Sequence, residues 1–123
     1  MYKTILVSND LESGRKIVER LEQEGWQVRA AFWYHSEDDD RWELVIVSPD
    51  VADKGPLKLY TTLWKFLDDL AHDPQIPFEF PREDLKIVSP DSLLYKMVKQ
   101  RSALRLGPVP EGPVLDAYIY KMT

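Results

Sequence analysis

The sequence predicts a single mixed α+β domain over residues 1–123, in the order α-β-β-α-β-α-β. About four strands are expected in a mixed sheet, with the helices mainly on one face. Two stripes of apolar residues at helical spacing, over 7–21 and 59–70, enclose a run dense in β-branched and aromatic residues. An acidic, turn-rich stretch, SEDDD, divides that run in two. Proline- and glycine-rich breaks at 73–84 and 107–113 then separate the short apolar segments of the second half.

The first element has two readings. As a strand, YKTILVS followed by an acidic turn looks like the opening of a response-regulator receiver domain, whose early acidic residues help hold magnesium. As a helix, Val7, Leu11, Gly14, Val18 and Leu21 form one apolar stripe that stops at Gly25. The receiver reading requires a crossover helix after the second strand, since parallel strands need a long connection. AFWYHSEDDDRW fills that interval with β-formers and turn residues, so the helix reading is preferred. Gly14 costs such a helix about 1 kcal/mol relative to alanine.

Trp26–His35 and Arg41–Ser48 then form a hairpin. With His35 and Arg41 flanking the turn, Tyr34 faces Trp42, Phe32 faces Leu44 and Ala30 faces Ile46, on a core side shared with Val28. Arg29, Trp33, His35 and Glu43 lie on the outer side. Gly55-Pro56 opens a second helix with Leu59, Leu63, Phe66, Leu67 and Leu70 inward, closed by Asp73-Pro74. A strand over Leu85–Ser89 leads into a helix from Asp91 to about Ser102, with Leu94, Met97 and Val98 inward. Val114–Met122 closes the chain as a strand.

Placed on these elements, the chain resembles a family of small uncharacterised bacterial proteins. DLESGRKIVERLEQEGWQVRAAFW, RWELVIVSPDVADKGP, KIVSP and DAYIYKM carry the likeness. It implies a helical amino-terminal element and a bacterial cytoplasmic setting, and it brings no activity, cofactor or site residue.

Composition narrows the function classes. A net charge of −5 argues against a general nucleic-acid binder, whose affinity rests on neutralising phosphates. No apolar run approaches the roughly 20 residues that span a bilayer, and MYKTILVSND lacks the pattern of a secretory signal, so a cytoplasmic protein is expected. The absence of cysteine excludes disulfides, thiolate metal sites and a thiol nucleophile, while His35 and His72 match no metal-ligand spacing. No phosphate-binding glycine loop or Gly-x-Ser-x-Gly elbow occurs, and Glu43-Leu44-Val45 lacks the lysine of the nuclease Glu-x-Lys pattern.

Four groups remain. IVSPD occurs at 46–50 and again at 87–91. Asp50, Asp53 and Asp91 follow strands and would hold a divalent cation if the strand ends met, with Lys54 available to a phosphate. The plainer reading makes Ser89, Pro90 and Asp91 the cap and first residues of a helix, and Ser48-Pro49-Asp50 a strand exit. The outer hairpin residues Arg29, Trp33, His35 and Glu43 form a candidate ligand or partner face. Alternatively, Arg29 and Glu43 form an ion pair while Trp33 is covered by the last strand or a loop. Lys96, Lys99, Arg101 and Arg105 make a basic stretch that suits a helix end, and residues 37–40, EDDD, suit a solvated turn.

With no catalytic constellation and no cofactor indicated, the leading expectation is a non-catalytic cytoplasmic interaction or regulatory domain. It would meet a protein partner, or a second copy of itself, through the hairpin face. The alternative is a metal-dependent phosphate-handling enzyme with carboxylates at strand ends. A weaker one is single-stranded nucleic-acid binding on aromatic rings.

Overall fold

Helix α1 (Ser8–Gln23) begins with Asp10 in its first turn, where a carboxylate complements the helix dipole. It ends in a Schellman turn: Trp26 N–H donates to the Leu21 carbonyl at 3.0 Å and Gly25 N–H to the Glu22 carbonyl at 3.1 Å. Gly25 takes φ +86°, the left-handed conformation this turn needs. The structure, a computed structural model, describes residues 6, 8–36, 38, 40–51, 55–72, 84–102, 112–114 and 117–122. Strand β1 (Ala30–Ser36) and strand β2 (Arg41–Val47) form the hairpin. Helix α2 (Pro56–Ala71) crosses to strand β3 (Leu85–Val88), and helix α3 (Leu93–Ser102) follows. Strands β4 (Gly112–Val114) and β5 (Ala117–Met122) complete the chain.

The expected α+β order holds, and the sheet has a fifth strand. Of the segment read as one strand over Val114–Met122, Val114 ends the first arm of a small antiparallel pair and Ala117–Met122 is the second, with Gly112 opposite Ile119 and Val114 opposite Ala117. Proline and glycine at 107–113 suggested a break only, yet an edge strand tolerates both residues. Strand order is β3-β2-β1-β5-β4, with β2 and β3 parallel and the other neighbours antiparallel.

The hairpin register is one residue away from the expected one. Ser36 pairs with Arg41, Trp33 with Leu44, Phe32 with Val45 and Ala31 with Ile46. A slip of one residue exchanges partners between faces. Both faces are apolar. On one, Ala31, Trp33, Leu44, Ile46, Leu85 and Ile87 pack under α1 and α2 through Ile17, Val18, Leu21, Leu59, Leu63 and Leu67. On the other, Ala30, Phe32, Val45, Val47, Ala117 and Ile119 meet Tyr95 and Val98 of α3. Two helices thus share one face and the third covers the opposite one. Tyr95, not among the residues expected inward, is buried, while Leu94 and Met97 are half-buried.

The helix cap expected at Ser89 lies elsewhere. Helix α3 starts at Leu93, the Ser92 carbonyl accepts from Lys96 N–H at 3.1 Å, and Ser89 belongs to the turn before it. A serine hydroxyl that accepts from a backbone amide two residues on serves a helix start or an isolated turn alike, and Ser89 Oγ accepts from Asp91 N–H at 3.3 Å. Here the Ser89 carbonyl also accepts from Ser92 N–H at 3.0 Å, which closes the turn before the helix begins.

Candidate functional site

The β1–β5 pairing shifts between Ala31 and Phe32: Ala31 stands opposite Lys121 and Phe32 opposite Ile119. Tyr120 is the extra residue, and a bulge re-aims the side chains beside it. Tyr120 and Lys121 accordingly both line one side of a groove of about 310 Å³, with Arg15, Val18, Glu19 and Glu22 of α1 on the other. Lys121 reaches Glu22 at 3.4 Å, Arg15 pairs with Glu12 at 2.7 Å, and the Arg15 guanidinium lies 6.0 Å from the Tyr120 ring centre. Under the groove, Trp33 Nε1–H donates to the Tyr120 hydroxyl at 2.8 Å, which donates to the Leu11 carbonyl at 2.7 Å. Gly14 sits against these hydrogen-bonded side chains, and its missing Cβ makes room for the Tyr120 hydroxyl. The sequence signal was that glycine in the apolar stripe; its partner, more than 100 positions later, was not identifiable from spacing.

The four outer hairpin residues do not gather. Trp33 is 0% exposed and belongs to the core under α1. Glu43 stands opposite Tyr34 on the other face and reaches Arg41, not Arg29, at 3.6 Å. Arg29 is exposed before β1, its N–H donating to the Val47 carbonyl at 2.8 Å. His35 lies towards the far end of the same strand, with Nε2 3.0 Å from Asp40 Oδ1 and its ring 5.1 Å from that of Trp42. The one-residue slip separates Glu43 from Trp33. Phe32 and Trp33, two aromatic rings of β1, are both inside.

The repeated pentapeptides do meet. β2 and β3 are parallel with Ile46 beside Ile87 and Val47 beside Val88, so the two copies of IVSPD run side by side in register. Ser48 N–H continues the ladder to the Val88 carbonyl at 3.0 Å. Each serine makes the same turn, Ser48 Oγ accepting from Asp50 N–H at 3.2 Å and Ser89 Oγ from Asp91 N–H at 3.3 Å. Their environments differ. Asp50 is 8% exposed and accepts from Gln27 N–H at 3.3 Å, whereas Asp91 is exposed. Asp53 and Lys54 lie outside the described residues. Among the described residues, no group of three His, Cys, Asp or Glu side chains is placed to hold a metal ion.

This end of the sheet also starts two helices. Leu57, in the first turn of α2, is 77% exposed, and Leu93, the first residue of α3, is 83% exposed. They are the exposed large apolar side chains among the described residues, and they flank the strand exits on opposite faces of the sheet. Of the basic stretch, Lys96 and Lys99 are exposed on α3, with Lys99 Nζ 5.6 Å from the Tyr95 ring centre. The Arg101 side chain and Arg105 lie outside the described residues, as do Glu37 and Asp39 of the acidic turn. No described helix is long and apolar enough to cross a membrane. No protein-family model, curated protein or solved structure matches this chain.

Proposed function

We propose that the chain is a small non-catalytic interaction or regulatory domain of the bacterial cytoplasm, acting by contact with a protein partner or a second copy of itself. The contact surface in this reading is the end of the sheet where β2 and β3 exit, in place of the hairpin face. One observation carries it: Leu57 and Leu93 stand out at that end while the sheet faces are taken up by the domain's own core. A leucine held in water forgoes roughly 1.5–3 kcal/mol of burial, which a partner's surface would restore. The test is affinity capture from the host together with light scattering, for wild type and for Leu57→Ser/Leu93→Ser. A partner or dimer lost in the double variant supports the reading. A strictly monomeric wild type that captures nothing removes it.

The in-register adjacency of the two IVSPD copies favours one second reading, a metal-dependent phosphate-handling site at Asp50 and Asp91. Two carboxylates at neighbouring strand ends supply oxygen ligands suited to magnesium. Against it, Asp50 Oδ2 already accepts a backbone N–H. Calorimetric titration with magnesium, manganese and calcium decides: the reading requires heat of binding that Asp50→Ala abolishes.

A further inference from the structure

Strands β3 and β4 lie at the two edges of the sheet. An edge offers unpaired N–H and C=O groups to any other chain, and a protein that stays single must blunt it. β4 carries Pro113, which has no N–H to offer. β3 is four residues long and contains no proline.

In a parallel ladder each residue turns both its backbone groups to the same side. The Val88 carbonyl accepts from Ser48 N–H, so Val88 and Lys86 face β2 while Leu85 and Ile87 face outward. The outward Ile87 N–H does not stand open. It donates to the hydroxyl of Tyr60, in the second turn of α2, at 2.9 Å. Lys86 is exposed midway between the two outward residues.

We propose that Tyr60 and Lys86 together keep the β3 edge closed to strand addition by a second copy of this chain. Strand addition about a two-fold axis is self-complementary, so one closing contact per copy protects both. In the antiparallel arrangement that pairs the outward groups, Leu85 of one copy exchanges bonds with Ile87 of the other. Lys86 then stands directly opposite Lys86 of the second copy, and like charges at that position repel. The Tyr60 hydroxyl occupies one of the donors this pairing needs, and Lys86 opposes the register that would use the other.

The test compares wild type, Tyr60→Phe and Tyr60→Phe/Lys86→Thr by sedimentation and by residue-resolved amide exchange. In dilute Tyr60→Phe, the Ile87 amide exchanges about two- to tenfold faster, the range set by one net hydrogen bond. In the double variant, the mass doubles over that of wild type as concentration rises, and the Leu85 and Ile87 amides become protected in step. A wild-type mass at every concentration overturns the proposal, even with faster Ile87 exchange, because Tyr60 then makes a local bond and no more. Association without protection at Leu85 and Ile87 overturns it too, since another surface is then responsible.

Discussion

Gly14→Ala separates a tolerated helix glycine from one that the packing requires. On an exposed helix the change would stabilise by about 1 kcal/mol through backbone entropy. Here the added Cβ overlaps the Tyr120 hydroxyl oxygen, lies 2.9 Å from Trp33 Nε1 and 3.0 Å from Tyr120 Cζ. Each atom belongs to a ring held in place: Trp33 is buried in the sheet, and the Tyr120 hydroxyl is tied to the Leu11 carbonyl. Overpacking of this kind costs about 1–3 kcal/mol. Displacing the hydroxyl also weakens two hydrogen bonds worth about 1 kcal/mol each. The balance is a loss of roughly 1–3 kcal/mol, opposite in sign to the propensity gain. Urea unfolding followed by tryptophan fluorescence should show a lower midpoint at unchanged slope. The same substitution in a Tyr120→Phe background removes the overlapping oxygen, so its cost should fall by about 1 kcal/mol, a coupling of the size expected for groups in contact. A more stable Gly14→Ala, or an equal cost in both backgrounds, would refute the role assigned to Gly14.

Gly25 makes the complementary case: nothing lies within 4 Å of an added Cβ, yet its φ of +86° is left-handed. Gly25→Ala should cost about 1–2 kcal/mol in the same assay, with no rescue by Tyr120→Phe. Within α2, Leu63→Ala should cost about 2–5 kcal/mol and Leu57→Ala within about 0.5, because Leu63 is fully buried and Leu57 exposed. Ser48→Ala should destabilise by about 1–2 kcal/mol, since it leaves a buried amide without its acceptor, and Ser89→Ala by about 0.5 or less. Equal costs for the two serines would contradict the difference in their surroundings.

Much of the fold was legible because it rests on local signals. Gly25 marked the end of α1, Gly55-Pro56 the start of α2, and SEDDD the hairpin turn. What escaped depends on distant residues. The hairpin register turns on a single residue at the loop, where Asp40 takes φ +47°, and both alternatives place apolar side chains on each face. Alternation therefore could not choose between them, and the expected register placed Glu43 beside Trp33. The side-by-side IVSPD copies were visible as a repeat, but their adjacency follows from the crossover through α2. Ser89 misled because Ser-Pro-Asp suits a helix start and a hydroxyl-closed turn alike, and Ser92 takes the position before α3.

The most direct measurement on the proposed contact surface is to set Leu57→Ser/Leu93→Ser beside wild type in capture from the host and in light scattering. Matched unfolding midpoints would establish that both proteins are folded, as expected for two exposed side chains. If contact occurs at the strand-exit end, wild type forms a dimer or retains a partner and the double variant does neither. A double variant that keeps every partner and the same mass would contradict the proposed surface.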